Sequence, residues 1–334
     1  MRAFTVERYG TKDGLRAGEV PDPEVGADDV LVRVHAAGVN PLDYRIRDGE
    51  FKAILPYKVP FVLGHDMAGV VVQVGDAVQR FSVGDEVYAR PDKDRIGTFA
   101  EFIAVHQDDV ALKPSTLTME QAASLPLVAL TSWQVLVERA RVRPGQKVLV
   151  HAGSGGLGTI AIQLAKHLGA SVATTTSTAN VELVKSLGAD VVIDYKKQAF
   201  ETVLHDYDVV LDSLGGQTLE KSLRVLKPGG KVISVAGPPD AAFAREVGAN
   251  PVVRLVIGAL SFRTRRRARR RNVEYSFLFM KADGNQLREL ATLVDAGVVR
   301  PVIDRVFPFE ATREALDYAE QGRVKAGKVV IRMT

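Results

Sequence analysis

Residues 147–177 read KVLVHAGSGGLGTIAIQLAKHLGASVATTTS, and the order of signals within this stretch decides the fold. Val148 to Val150 form a short apolar run suited to a buried parallel strand, and Gly153, Gly155 and Gly158 follow it with G-x-G-x-x-G spacing. Ile160, Ala161, Leu164, Ala165 and Leu168 then recur at helical intervals, Gly169 supplies a stop, and Ser171 to Thr176 read as a second strand. Strand, glycine loop, helix and strand in that order form a βαβ unit of the kind that binds a dinucleotide. The first glycine permits a tight turn, the second lets the backbone approach a pyrophosphate, and the third lets helix and strand pack closely. The phosphates would rest on the helix N-terminus, where unpaired N–H groups and the helix dipole both favour an anion. Gly153, Ser154, Gly155, Gly156, Leu157 and Gly158 are therefore the expected contacts.

The end of the second strand bears on which dinucleotide is bound. An Asp or Glu there would bond the ribose 2′-hydroxyl of NAD(H), whereas this chain carries Thr174, Thr175, Thr176, Ser177 and Thr178. Small hydroxyls can donate to a 2′-phosphate that an acid would repel, so the reading is NADP(H). No Arg or Lys lies between Ser171 and Glu182, so a cation has to come from Lys185, from Lys196 or Lys197, or from elsewhere in the fold. β-favouring threonines in a strand would explain the residue types but not the missing acid.

At 334 residues the chain exceeds one comfortable core, so two domains are expected. Hydrophobic residues make up 46% and charged residues 25%, which fits a soluble chain that buries a sizeable core. MRAFTVERYG at the start has no apolar core, so no signal peptide is expected. The most apolar segment, 251–262, is too short to span a membrane and contains Arg254. The absence of cysteine excludes disulfides, thiolate metal ligands and cysteine nucleophiles, and suits a reducing, cytoplasmic setting. The net charge of +4 owes its sign to one segment, Arg263, Arg265, Arg266, Arg267, Arg269, Arg270 and Arg271. Such a run can meet nucleic acid or anionic lipid, or it can be a solvated helix face. Nucleic acid is the weaker reading, because no aromatic residue interleaves the arginines.

The first hundred residues are rich in strands and turns, with strands over 29–35, 64–75 and 84–89, and read as an antiparallel, barrel-like domain. Helices follow over 122–140. Strands are then expected at 148–150, 172–176, 191–194, 209–212, 232–235 and 275–280, enough for a doubly wound parallel sheet. Between Gly237 and Asn272 the alternation breaks into an insert, too long for an ordinary loop, in which Leu255, Ile257, Leu260 and Phe262 could line a pocket or pack on the sheet. A helix over 285–297 and a last strand over 329–331 follow, the strand returning to the first domain. The expected boundaries are 1–122 with 282–334 for the β-rich domain and 123–281 for the nucleotide domain.

GVNPLDYRIRDGEF at 38–51, PFVLGHDMAGVVVQVG at 60–75, GTFAEF at 97–102, ASLPLVALTSWQ at 123–134, HAGSGGLG at 151–158 and LKPGGKVISVAG at 226–237 occur in an order that resembles the medium-chain dehydrogenase/reductase superfamily. The resemblance is to its zinc-free quinone oxidoreductase branch. YSFLFM at 275–280 and RPVIDRVFPFEATREALDY at 300–318 resemble the subgroup of alkenal and enone reductases and the reticulon-interacting mitochondrial reductase. This implies an α/β fold, a Rossmann sheet beside a GroES-like catalytic domain, with the cleft between them and a homodimer paired through edge strands near 275–280.

Zinc alcohol dehydrogenases place a cysteine ligand where this chain has Asn40, and they insert a four-cysteine lobe near 88–97 that is missing here. His65 remains without further ligands at sensible spacing, so the reading is a structural histidine and no metal. Without a metal, an α,β-unsaturated carbonyl or a quinone suits hydride transfer, because the charge left behind spreads onto an oxygen that hydrogen-bond donors can stabilise. The resemblance assigns Asn40 and Asp43 to the cleft floor and Tyr44 as the donor, with Arg45 its competitor for that role. It assigns Thr131, Ala236, Phe277 and Phe279 to the cofactor, and Ser177 and Tyr195 to the adenosine 2′-phosphate. The family's usual Arg or Lys near 179 or 181 is replaced by Ala179 or Val181. A non-catalytic protein, in which NADPH regulates attachment through the arginine segment to nucleic acid or a partner, stands as the alternative.

Overall fold

The structure is a computed structural model that describes residues 1–333 apart from Ala53, Val247 and Ala249. Every strand expected beyond residue 140 forms, because each is an apolar run flanked by turn residues and can be buried on both faces. The six strands lie in the order Val191–Asp194, Ser171–Thr176, Lys147–Val150, Tyr207–Asp212, Leu226–Ser234 and Glu274–Phe277, all parallel. The order reverses beside Lys147–Val150, the switch point at which open α/β sheets bind ligands. The last strand is shorter than expected, ending at Phe277 rather than Met280. Its chain turns off the sheet there, with Leu278 N donating to Ser234 O.

The chain divides into Met1–Leu130 with Lys281–Thr334, and Thr131–Met280. In the first unit, Asp29–Val39 is the central strand of a mostly antiparallel sheet, paired with Asp66–Val74, Phe102–His106 and Lys328–Arg332. The last of these is the expected C-terminal strand, and it closes the sheet between Asp29–Val39 and Ile303–Pro308. A smaller sheet of Leu15–Glu19, Arg2–Val6 and Phe61–Val62 completes this unit. Among the described residues no helix is long and apolar enough to cross a membrane.

In the second unit the helix Gly156–His167 buries Ile160, Ala161, Leu164 and Ala165, the residues its periodicity singled out. The core of the sheet includes a buried histidine. His151 follows Val150 directly, is fully buried, and packs edge-on against Phe200 at 4.6 Å. Its Nε2 meets Ser222 Oγ at 2.8 Å and its Nδ1 meets Thr175 Oγ1 at 3.2 Å. Ser222 donates onward to Thr218 O and Thr175 Oγ1 accepts Ala152 N–H, so the neutral ring with Nε2–H satisfies every partner. Burial pushes the imidazole down to about 4.

An unfolded histidine titrates near 6.5, so at intermediate pH the unfolded chain binds a proton that the folded chain refuses. The stability from His151 is complete above about pH 6.5 and is lost progressively toward about pH 4, by roughly 3 kcal/mol in all. Urea unfolding of wild type and His151→Gln at neutral pH and near pH 5 checks this. The variant should show the smaller pH dependence, and equal slopes would remove His151 as the cause.

Candidate active site

The glycine loop of the second unit joins Lys147–Val150 to Gly156–His167 as expected, with a different division of labour among its residues. Ala152, not a glycine, takes the left-handed conformation of the turn, at φ 52°. Gly153 is required because a Cβ there would lie 2.0 Å from Thr174 Oγ1, and Gly158 because a Cβ would lie 2.3 Å from Ala152 O. The loop is thus pressed against the next strand and the helix start against the loop. Gly155, by contrast, meets only Ala152 O, at 3.3 Å, so one side of it is open. It is also the helix N-cap and offers no side chain to the first N–H groups of Gly156, Leu157 and Gly158. An open glycine before an uncapped 12-residue helix is a cradle that fits a pyrophosphate.

At the carboxyl ends of the next strands, Ser177 follows Thr176 and Tyr195 follows Asp194, and the two strand ends pair in register. Tyr195 N donates to Thr176 O, and the Tyr195 ring is exposed. The row of hydroxyls expected to face a phosphate is mostly spent elsewhere. Thr174 donates to Val150 O, Thr175 serves His151 and Ala152, Thr176 bonds Ser154, and Thr178 donates to Asp194. Strand alternation and burial leave Ser177 as the hydroxyl available to a ligand. Of the candidate cations, Lys185 is paired with Glu182 at 2.8 Å and Lys197 approaches Asp194 at 3.7 Å. Lys196 has no ion-pair partner among the described residues and is exposed beside Tyr195.

Thr131 is buried in the helix Pro126–Trp133, which runs into a π-helical turn at Gln134–Arg139. Ala236 is exposed just beyond Leu226–Ser234, where Ser234 Oγ accepts the N–H groups of Ala236 and Gly237. Phe277 is buried and Phe279 half-buried, both against Phe243, at 5.1 and 5.9 Å between ring centroids. Asp240 fixes this corner by accepting the N–H groups of Ala242, Phe243 and Phe277.

The first unit gathers a second set of polar residues. Asn40 precedes Pro41, the first residue of the helix Pro41–Arg47, and its N–H donates to Asp43 Oδ2 at 2.7 Å. Asp43 Oδ1 in turn holds His65 Nδ1 at 2.5 Å. The Asn40 amide donates to Asp66 Oδ2 at 2.9 Å, and its oxygen accepts from the Lys328 ammonium, which also reaches Asp66 Oδ2 at 3.3 Å. Asp66 Oδ1 accepts Leu127 N–H. All five side chains are buried, so Asp43 is not a surface helix start. Burial pushes the Asp66 carboxyl up, while Lys328 and Asn40 oppose that shift. His65 Nε2 is buried with no partner.

Tyr44, next along the helix, is half-buried, and burial raises its phenol above the ordinary range, so it stays protonated. Arg45 is engaged by Glu50 at 2.7 Å and the Phe51 ring at 4.9 Å. Lys328, Asp66 and Asp194 escaped the sequence reading. The first two lie hundreds of residues apart or outside any spacing rule, and the only hint of Lys328 was a charge opening an otherwise apolar strand.

Comparison with known proteins gives a consistent set of likenesses. Residues 26–115 match the family described as "Alcohol dehydrogenase GroES-like domain" and residues 187–331 the family described as "Zinc-binding dehydrogenase". The chain is 38% identical to 2-methylene-furan-3-one reductase of Solanum lycopersicum and 37% identical to the chloroplastic NADPH-dependent alkenal/one oxidoreductase of Arabidopsis thaliana, in each case over 99% of this chain and 79% of the relative. A solved quinone oxidoreductase from Coxiella burnetii superposes with a TM-score of 0.87 at 31% identity, covering 100% of this chain and 99% of that one.

Lys328 is predicted to hold the buried network of the first unit together. Replacing it with Met strands Asp66 and the Asn40 oxygen, and should cost about 3 kcal/mol. Adding Asp66→Asn removes the stranded charge, so the double variant should be more stable than Lys328→Met alone. Denaturant unfolding of the single and double variants measures this, and strict additivity would show that the two groups do not act as a pair.

Proposed function

The chain belongs to the medium-chain dehydrogenase/reductase superfamily and is an NADP(H)-dependent oxidoreductase, and on that premise we propose that it reduces α,β-unsaturated carbonyls or quinones without zinc. The names of its relatives support an enzyme over a nucleotide-regulated binding protein. The observation that carries the zinc-free reading is the occupation of Asn40. Its oxygen is taken by an ammonium and its amide by Asp66, so neither is free to ligate. His65 has one nitrogen on Asp43, leaving a single open donor atom. Among the described residues no group of three or more His, Asp or Glu could hold a metal.

In this reading the residues divide by task. Gly155 and the first N–H groups of the helix Gly156–His167 hold the pyrophosphate, while Ser177, Tyr195 and Lys196 hold the 2′-phosphate. Thr131, Ala236, Phe277 and Phe279 complete the cofactor's surroundings. Bound NADPH supplies a hydride. The hydride would leave a nicotinamide C–H bond with its electron pair and form a C–H bond on the conjugated acceptor, so that negative charge would arrive on the acceptor oxygen. Tyr44, kept protonated by its surroundings, donates a hydrogen bond to that oxygen, and solvent delivers the proton that completes the product. Asn40 and Asp43 act as positioning residues, since both spend their polar atoms on the network below Tyr44. The outer edge of Glu274–Phe277 ends the sheet and is the surface this reading gives to a homodimer.

Purified protein should consume NADPH with members of a panel of enones and quinones, and prolonged chelator treatment should leave the rate unchanged. Loss of activity on chelation, restored by zinc, would overturn the metal-free reading. Tyr44→Phe should lower kcat by about a hundredfold with little change in NADPH affinity; an unaltered kcat would remove Tyr44 from the donor role. Lys196→Glu should weaken NADPH binding by about tenfold and leave NADH nearly unaffected, as read by fluorescence titration with both nucleotides. Equal losses for the two would place the 2′-phosphate elsewhere.

A further inference from the structure

The insert after Gly237 contains a helix whose apolar residues face outward. Pro251–Leu260 reads PVVRLVIGAL, a composition that a globular protein ordinarily buries. Here only Ile257 is buried, while Val252, Leu255, Val256 and Leu260 are 70%, 75%, 55% and 59% exposed. These four sit at i, i+3, i+4 and i+8, so they form one stripe pointing away from Ile257. Phe262, at 54% exposed, extends the apolar surface into the next helix. The sequence reading that Leu255, Leu260 and Phe262 line a pocket or pack on the sheet is thus corrected, and Ile257 alone packs inward.

The helix Phe262–Arg270 continues directly from that stripe and anchors itself through buried Ala268. It carries the arginine run, whose exposed members include Arg263, Arg266, Arg269 and Arg270. From residue 247 to 273 there is no Asp or Glu. The neighbouring acid, Glu220, is paired with Arg267. An exposed apolar stripe therefore adjoins a concentrated positive charge of which Glu220 offsets one member.

We propose that this surface docks on an anionic lipid bilayer, the helix Pro251–Leu260 lying in the interface and the arginines meeting lipid phosphates. The charge selects this occupant over the others. A second copy of the chain across a two-fold axis would set one arginine cluster against the same cluster. A nucleic acid would answer the arginines but leave the apolar stripe in water, and there is no aromatic residue within 263–271 on which bases could stack. An anionic bilayer satisfies both parts, with headgroups for the arginines and the acyl boundary for the stripe.

The test is co-sedimentation of the full-length, NADPH-loaded protein with vesicles of phosphatidylcholine alone and vesicles containing equal phosphatidylglycerol. Partitioning should be at least tenfold stronger to the anionic vesicles and should fall with added salt. Two variants separate the components: Leu255→Ser with Leu260→Ser, and Arg266→Gln with Arg269→Gln and Arg270→Gln. Each should lose roughly tenfold or more of the binding while keeping its far-UV spectrum and its turnover of a soluble acceptor. Equal binding to neutral vesicles, no binding to either, or unchanged binding by the serine variant would overturn the proposal. So would a change of oligomeric state in that variant, since the stripe would then be covered by another copy.

Discussion

The Lys328 ammonium, buried against Asp66 and Asn40, is the constraint on which the first unit depends. Taking such a charge out of water costs several kcal/mol, and the cost is offset only if its partners stand at fixed positions. Sheet register supplies them. Val329 pairs with Val39 and Asp66 with Gly38, so the strands of Lys328 and Asp66 flank the end of Asp29–Val39, where Asn40 follows. Gly38 makes the approach possible, since a Cβ there would lie 2.5 Å from Ala123 O and 3.0 Å from Asp66 Cβ. A slip of one residue in either pairing would strand two buried charges, which makes the network a lock on register as well as a product of it. The helix that presents Tyr44 inherits this order through the bonds among Asn40, Asp43 and His65.

The second unit uses a related device at three of the loops that follow its strands. Asp194 ends its strand and accepts Lys196 N–H, and Asp212 ends the next and accepts the N–H groups of Leu214 and Gly215 along with the Ser234 hydroxyl. Asp240 does the same for the corner that carries Phe243 and Phe277. Carboxylates that accept backbone N–H groups hold these turns in one geometry. The glycine loop has no such anchor. It is held by close packing at Gly153 and Gly158 and by the Ala152 and Gly153 N–H groups on Thr175, and the N–H groups that open the helix remain available for an anion.

What could be read from the sequence divides along the same line. The βαβ unit was legible because its signals are local: apolar runs, glycine spacing and helical periodicity all lie within residues 147–177. The six-strand parallel sheet followed from repetition of that pattern. The network around Lys328 was not legible, because it joins residues 40, 66 and 328 through strand pairing that no local pattern encodes. The threonine row misled for a different reason. Residue type allowed every hydroxyl to face a phosphate, but Thr174, Thr175 and Thr176 are all buried, and of the two past the strand end Thr178 is bonded to Asp194, which leaves Ser177. The helix Pro251–Leu260 inverted the usual rule, since apolar residues were expected inside and five large ones lie outside.

Asp194 sharpens the question of cofactor choice. An acid at the end of the strand after the glycine helix marks an NAD(H) site, and the residue in that place is Ser177. Asp194 ends the neighbouring strand, paired in register with Thr176, so an acid does lie close to the ribose end of the proposed site. Its charge is committed, however. The Thr178 hydroxyl at 2.6 Å holds the carboxyl below its ordinary range, and Lys196 N–H and the Lys197 ammonium share it. Those bonds draw the carboxylate toward its own loop and set the backbone that presents Tyr195 and Lys196. In the proposed 2′-phosphate site, an acid that would oppose the phosphate as a free neighbour is, bonded this way, part of the scaffold beneath Tyr195 and Lys196.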